Sequence, residues 1–348
     1  MSGQEANTIH IDGSAGEGGG QMLRSALTLA MLSGKSLRMT RIRAGRSKPG
    51  LMRQHLVSVQ AAQQFCAAQV FGAAIGSTEL AFAPGAIQSG VYRFAIGTAG
   101  STMLVLQTIL PAALRADGRT TLIIEGGTHN GMAPSTDFVT RAFLPQLLRM
   151  GARIQMAVER LGFYPAGGGA VRVVIQPSPL QPVNVHERGA ALGIEAHAMV
   201  LGLPTKIALR ELTAVADSLK LRRGQLHVDE RVQRGGVGNA LHVIAAFEHV
   251  DEVVTSLGER GRSSETVAAD ACNQMHTYLS HDAPIGEHLA DQLLLPMLVA
   301  GGGSFVTAMP SGHLLSNIAV IEAFGLARVT IQALPERGPA HRVSVIPV

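Results

Sequence analysis

The sequence predicts an α/β (α+β) fold: three repeated α/β units forming one large domain, with a small α/β domain inserted before the last unit. The first observation behind this is an order of elements. Helix, glycine turn, strand, loop, helix and strand recur three times along the 348 residues, and repetition on that scale builds similar units packed on shared faces. The second is a charge-richer stretch, Val183 to Asp282, with Pro177, Pro179 and Pro182 at its entrance and Pro284 at its exit. A segment of that size between proline borders reads as a subdomain rather than a loop. The third is bulk: 46% of the residues are apolar, enough to bury the core of one or two domains. The expected division is 1–182 with 283–348 for the large domain and 183–282 for the insert.

In the first unit, Thr8 to Asp12 alternates apolar and polar residues and reads as a short strand. A glycine loop, Gly13 to Gln21, leads into a helix over about Met22 to Leu32, and Gly34 suits its C-cap. A strand at Leu37 to Ile42, a loop at Ala44 to Gly50 and a helix at about Leu51 to Ala68 follow. Strands near Leu80 to Phe82 and Tyr92 to Ile96 are expected to close the unit. The second unit runs from the glycine loop Gly97 to Ser101 through a helix at Thr102 to Arg115, a strand at Thr121 to Glu125, a loop ending at Pro134 and a helix at Asp137 to Met150. Strands at Arg153 to Val158 and Ala170 to Ile175 complete it. The third has a helix at Leu289 to Val299, a strand at Phe305 to Met309, a helix after His313, and strands at Arg328 to Gln332 and Arg342 to Ile346. In the insert, strands are expected at Leu192 to Val200 and Ala240 to Phe247, and a helix at Glu265 to Leu279.

Composition removes several function classes. Cys66 and Cys272 stand far apart without CxxC spacing, so neither a disulfide framework nor a structural zinc site is expected. The polar stretch Met1 to Asn7 lacks the apolar core of a signal peptide. The longest apolar run, Leu293 to Ala300, contains Pro296 and is too short for a bilayer. The expectation is a soluble, cytoplasmic chain without a membrane partner. With no Trp, three Tyr and ten Phe, an aromatic platform for many bases is not expected. The formal net charge is only +4, but Arg24, Arg38, Arg41, Arg43, Arg46, Lys48 and Arg53 crowd one region. Local density of this kind says more about partners than the total does.

Several stretches can carry chemistry. Pro310 ends a strand because proline cannot donate into a sheet ladder. Ser311 can cap the helix that begins after it, which places His313 at a strand-to-helix junction. Unpaired N–H groups at a helix start favour anions. His313 therefore either attacks or holds a phosphate, or is a hydrogen-bonded structural residue. Gly16 to Gln21 (GEGGGQ) is neither a P-loop nor GxGxxG. Its Glu17, flanked by glycines, suits a metal or another cation. Arg43 and Arg46 sit at a strand end and in the loop after it, where guanidinium forks can grip phosphate oxygens in pairs, or can simply be solvated. Gln107 lies inside an apolar helix and needs partners, within the fold or in a ligand. Asp291 and Gln292, beside Leu293 to Leu295, pose the same question. There is no GxSxG and no HExxH.

Read together, GSAGEGGGQMLR (Gly13 to Arg24), RIRAGRSKPGLMRQH (Arg41 to His55), FAIGTAGSTMLVLQ (Phe94 to Gln107), GFYPAGGG (Gly162 to Gly169), GEHLADQLLLP (Gly286 to Pro296) and SGHLLSN (Ser311 to Asn317) resemble the RNA 3′-terminal phosphate cyclases over essentially the whole chain. The resemblance implies ATP-dependent conversion of an RNA 3′-terminal phosphate to a 2′,3′-cyclic phosphate. It implies His313 as the nucleophile that becomes histidinyl-AMP, and an RNA-adenylate as the second intermediate. Gln107, Pro134, His288, Leu289, Ala290, Asp291 and Gln292 are implied as ATP contacts. Glu17, Arg24, Arg43, Arg46 and Gln54 are implied as active-site residues. Oxygen donors suit Mg2+ or Mn2+, with Glu17 as the expected metal ligand. The expected partners are an RNA 3′-phosphate end and ATP, and a homodimer is compatible with the sequence. One departure stands out: His288 occupies a position where bacterial members carry tyrosine, a ring that stacks on adenine. Two other classes compete with this reading, a non-catalytic RNA-binding assembly factor and an enolpyruvyl transferase. The first lacks the nucleophilic histidine, and the carboxylate-rich site of the second has no evident match here.

Overall fold

One strand order is built three times. In the computed structural model, which describes residues 7–233 and 235–348, β1 (Thr8–Asp12) pairs parallel with β2 (Ser36–Thr40). β2 pairs antiparallel with β4 (Leu80–Ala83), and β4 with β3 (Gln69–Phe71). The second sheet has the same senses in the order β5 (Gly90–Ala95), β6 (Thr120–Gly126), β8 (Gly169–Gln176), β7 (Arg153–Arg160). The third runs β9 (Val183–Val185), β14 (Gly303–Thr307), β16 (His341–Pro347), β15 (Ala327–Ala333). The polar N-terminal stretch, residues 1–6, lies outside the described residues.

A parallel pair needs a crossover of a dozen or more residues. In the first unit α1 (Gly20–Ser33) supplies it, and α2 (Arg53–Phe65) follows β2. In the second, α3 (Thr102–Ala113) supplies it, and a helix over 136–149, π-helical at Val139–Phe143, follows as α4. In the third, the crossover from β9 to β14 holds the whole inserted segment as well as a helix. That segment contains α5 (Lys206–Leu219), α6 (Ser264–Leu279) and a sheet ordered β11 (Leu226–Arg231), β10 (Ala191–Leu201), β12 (Gly238–Phe247), β13 (Asp251–Leu257). Then come α7 (Glu287–Val299) and α8 (Gly312–Phe324).

The α/β class and the repeated order agree with the sequence reading, and pairing corrects two assignments within it. The strand at Tyr92 to Ile96, expected to close the first unit, is β5 and opens the second sheet against β6. The first unit ends with β4, where a strand is expected at Leu80 to Phe82, and its sheet edge is β3, only three residues long and too short to show a period of two. Val183–Val185, expected inside the insert, pairs with Gly303–Phe305, so the chain leaves the third sheet only after Val185.

Local chemistry explains the element ends. α8 starts where expected because Leu314 donates its N–H to Ser311 Oγ at 3.1 Å. α1 stops at Gly34, left-handed at φ 70°, whose N–H returns to Ala30 O. α2 begins at Arg53 rather than Leu51 because Gly50 and Leu51 donate back to Ile42 O and Ser77 O at 2.8 and 3.0 Å. In the large body α1 is the central helix, touching α2, α3 and α8, with Leu23, Ala26, Leu27 and Ala30 fully buried. The insert keeps a separate core between its sheet and α5 and α6, including Val200, Leu212, Val243, Ala271 and Met275. Among the described residues no helix is long and apolar enough to cross a membrane.

Candidate active site

The ends of α1, α7 and α8, the loop after β2 and the wall offered by β13 enclose a cleft of about 1430 Å³. That exceeds the ~300–1,000 Å³ of ordinary small-molecule pockets and leaves room for two substrates. Gly19, Gly20 and Gln21 bring the start of α1 to its edge, where unpaired N–H groups favour phosphate. Gly20 must be glycine there, because a Cβ would stand 2.3 Å from His55 Nε2.

His313 lies in the first turn of α8 and lines this cleft. Its side chain is 41% exposed and its Nδ1 is 2.7 Å from Glu17 Oε2. The glycine loop makes the approach feasible: Gly16 is left-handed at φ 56°, and a Cβ on it would collide with Ser316 Oγ. Ser316 Oγ accepts the Glu17 N–H at 3.3 Å. A carboxylate on Nδ1 fixes the tautomer with the proton on Nδ1 and the lone pair on Nε2.

The cations gather in the same cleft. Arg24, Arg43 and Arg46 all line it, with Gln54 and His55. Burial pulls Arg24 down to about 10, while the Asp291 carboxylate draws it back up, so it stays charged at neutral pH. Arg43 adopts φ 56° and donates from Nη1 to Lys48 O and Gly50 O at 2.7 and 2.8 Å, so it both folds the loop and faces the cleft. Its pKa is lowered by burial and by neighbouring Arg46. The Arg46 side chain forms no hydrogen bond or ion pair with any described residue and lies over Gly19, where a Cβ would be 3.1 Å from Nη2. Gln54 Oε1 accepts the Ser101 N–H at 3.3 Å.

The third unit's first helix supplies the opposite wall. His288, Asp291 and Gln292 line the cleft, and His288 is exposed. Leu289 and Ala290, expected alongside them, do not reach it: they are 0% and 2% exposed and pack in the core. Helical spacing is the reason, since positions i, i+3 and i+4 share a face and the two residues between turn inward. Asp291 Oδ2 accepts from Gln21 Nε2 at 3.0 Å. Burial pushes Asp291 up to about 7, against the Gln21 hydrogen bond and Arg24, with Glu287 and Glu17 adding to the rise. Asp291 Oδ1 and Gln292 Oε1 are buried polar atoms without a partner. Gln107, on α3, also lines the cleft and has no side-chain hydrogen bond to a described residue, and Pro134 lies on the rim. Unpaired donors and acceptors around one cleft are the mark of a site that completes its hydrogen bonds with a ligand. Glu17 Oε1 and Asp291 Oδ1 are likewise unpaired oxygens, the donor type that hard divalent cations take.

Several contributors escape a sequence reading. His55 is buried, its Nδ1 accepts the Met52 N–H at 3.2 Å, and burial followed by Arg24 and Arg43 pulls it down to about 3. It is thus a neutral ring with Nε2–H directed at the start of α1. Asn317, one turn after His313, donates to Asp291 O at 2.8 Å and accepts from Ser25 Oγ, joining α1, α7 and α8. The i+4 spacing from His313 is the signal that could have found it. Glu252 comes from the insert and lines the cleft against Gly286. Burial pushes it up to about 8, with Arg188 and the Gly286 N–H opposing.

Comparison with known proteins follows the same lines. The family described as RNA 3'-terminal phosphate cyclase matches residues 15–331. Proteins named RNA 3'-terminal phosphate cyclase are similar to this chain in Pseudomonas fluorescens (52% identical over 331 residues, 95% of this chain and 96% of that one) and Ralstonia nicotianae (50% over 332 residues, 95% of each). One in Salmonella enteritidis is 46% identical over 340 residues, 97% of this chain and 99% of that one. A solved EPSP synthase from Acinetobacter baumannii aligns with 92% of this chain and 61% of its own length at TM-score 0.27 and 12% identity, too distant to support any argument. With the match spanning nearly every element and both walls of the cleft, the chain belongs to the RNA 3'-terminal phosphate cyclase family.

Proposed function

We propose that this chain converts RNA 3′-terminal phosphates to 2′,3′-cyclic phosphates with ATP as co-substrate, through adenylylation of His313. The observation that carries the reading is the 2.7 Å contact of Glu17 Oε2 with His313 Nδ1 at a cleft lined by Arg24, Arg43 and Arg46. Glu17 holds the proton on Nδ1, so Nε2 presents its lone pair to the α-phosphorus of ATP. The Nε2–P bond forms as the bond to pyrophosphate breaks, and Glu17 stabilises the resulting cationic ring. An oxygen of the RNA 3′-phosphate then attacks the same phosphorus and the P–N bond breaks, returning neutral His313. The ribose 2′-oxygen finally attacks the 3′-phosphorus, loses its proton and releases AMP.

The arginines and the neutral Nε2–H of His55 suit the phosphates of both substrates, because such transfer depends chiefly on positioning and charge neutralisation. Gln107, Asp291 and Gln292 have the free polar atoms that a nucleotide would satisfy, and His288 offers a ring for stacking. Glu17, with Asp291 nearby, would hold Mg2+ or Mn2+. Such an ion would neutralise phosphate charge when bound. In this reading the segment after Val185 is a domain of its own that lends β13 to the cleft. The direct test uses an RNA oligonucleotide ending in a 3′-phosphate, ATP and Mg2+. The terminal phosphate should become resistant to phosphatase only when ATP is present. Unchanged phosphatase sensitivity would reject the activity.

A further inference from the structure

We propose that His129, Asp137 and His242 form a binding site for a zinc-class divalent metal ion, one that fastens the inserted segment to the second unit beneath the wall of the cleft. The three residues come from separate elements. His129 is in the loop after β6, Asp137 opens α4, and His242 is on β12 of the insert. His129 Nε2 and His242 Nε2 converge on one oxygen, Asp137 Oδ2, at 3.1 and 3.5 Å, and all three ligand atoms lie within 4.8 Å of one another. With bonds of about 2.0–2.1 Å, neighbouring ligands of a tetrahedral zinc ion stand roughly 3.4 Å apart. The two observed separations bracket that edge.

The outer contacts agree. His129 Nδ1 is 2.9 Å from Thr128 Oγ1 and His242 Nδ1 is 3.0 Å from Thr255 Oγ1. Metal-bound histidines characteristically tie off the second ring nitrogen in this way, which aims the first. In the tautomer with both Nδ1–H groups donating to threonine, both Nε2 lone pairs face the carboxylate, the arrangement that a cation among them would use. The metal-free alternative is a His–Asp–His hydrogen-bond chain, but it serves one ring poorly. His242 has a side chain only 1% exposed, and its Nε2 has no hydrogen-bond partner, which is costly for a buried polar atom. At 30% side-chain exposure Asp137 leaves an entrance for the ion and a water as fourth ligand. Two imidazoles and one carboxylate favour zinc over magnesium, which prefers oxygen donors.

The site also explains how the insert is seated. Beside it Ser135 Oγ meets Thr255 Oγ1 at 2.9 Å, and both residues line the cleft. The test uses the full chain without a histidine tag, stripped with a chelator and titrated with Zn2+ against a chromophoric competitor. One equivalent should bind per chain and raise the melting temperature. Asp137→Asn and His242→Gln should each weaken binding by more than the ~10–100-fold typical of an outer-shell change. His227→Ala, in a separate Glu195–His197–His227 group, should bind as the unmodified chain does. Co2+ substitution of the unmodified chain should give the intense visible bands of four-coordinate cobalt, which requires no variant to fold. Binding well below one equivalent, binding that survives His242→Gln, or a weak six-coordinate cobalt spectrum would overturn the site.

Discussion

Glu17 and His313 stand 296 residues apart in the chain yet meet at 2.7 Å, because the glycine loop before α1 folds over the first turn of α8. Glu17→Gln keeps the shape but loses the carboxylate that fixes the imidazole. The rate of adenylylation should fall on the order of 10- to 100-fold, with the melting temperature nearly unchanged. A rate equal to the unmodified enzyme in a single-turnover assay would show that the contact is only structural.

Arg43 and Arg46 should separate in their effects. Arg43→Ala removes two hydrogen bonds to loop carbonyls and should cost about 1–3 kcal/mol of stability as well as activity. The Arg46 side chain has no such bonds, so Arg46→Ala should leave stability within roughly 0.5 kcal/mol. It should still slow transfer to RNA about 10- to 100-fold, the equivalent of one lost charged hydrogen bond. Denaturant melts beside RNA turnover check both, and normal turnover in Arg46→Ala would place that side chain outside the site.

Neighbours on α7 should differ as sharply. Leu289→Ala opens a hole in the core and should cost about 2–5 kcal/mol, with little change in the KM for ATP of the folded fraction. His288→Ala should leave stability within about 0.5 kcal/mol while raising the KM for ATP roughly 10-fold through lost stacking. A stable Leu289→Ala protein with a raised KM would return that residue to the nucleotide site.

Buried carboxyls set a pH trend. Glu252 rises to about 8 and Glu211 to about 7 from 4.5, both through burial, eased by Arg188 and the Gly286 N–H for Glu252 and by the Asn239 hydrogen bond for Glu211. The folded form then holds protons that the unfolded form has lost, so each group makes stability fall as pH rises from 4.5 towards its folded value. The slope is at most about 1.4 kcal/mol per pH unit per group. Glu252→Gln should flatten the part of the decline that reaches pH 8. An identical pH–stability curve in that variant would contradict the burial of an ionisable group there.

Much of this was legible in the chain. The repeated element order predicts the three matching sheets, and Ser311 after Pro310 predicts the helix that carries His313. The motifs point to Arg24, Arg43, Arg46, Gln54 and Gln107, and the structure gathers them in one cleft. What the chain hides is pairing and facing. β9 has three residues, and only its partner β14 identifies it as a sheet strand. A motif read as a run, His288 to Gln292, does not reveal which of its residues a helix turns inward. His55, Glu252 and the His129–Asp137–His242 group depend on contacts between distant segments that no local pattern announces.

Mixing the enzyme with Mg2+ and ATP labelled in the α-phosphate shows whether one imidazole bears the nucleotide. After acid-free denaturing gel separation, the protein band should carry label that mild acid removes, and His313→Ala should carry none. Label of equal intensity on His313→Ala, or turnover of RNA ends with no labelled protein at any time point, would contradict the account.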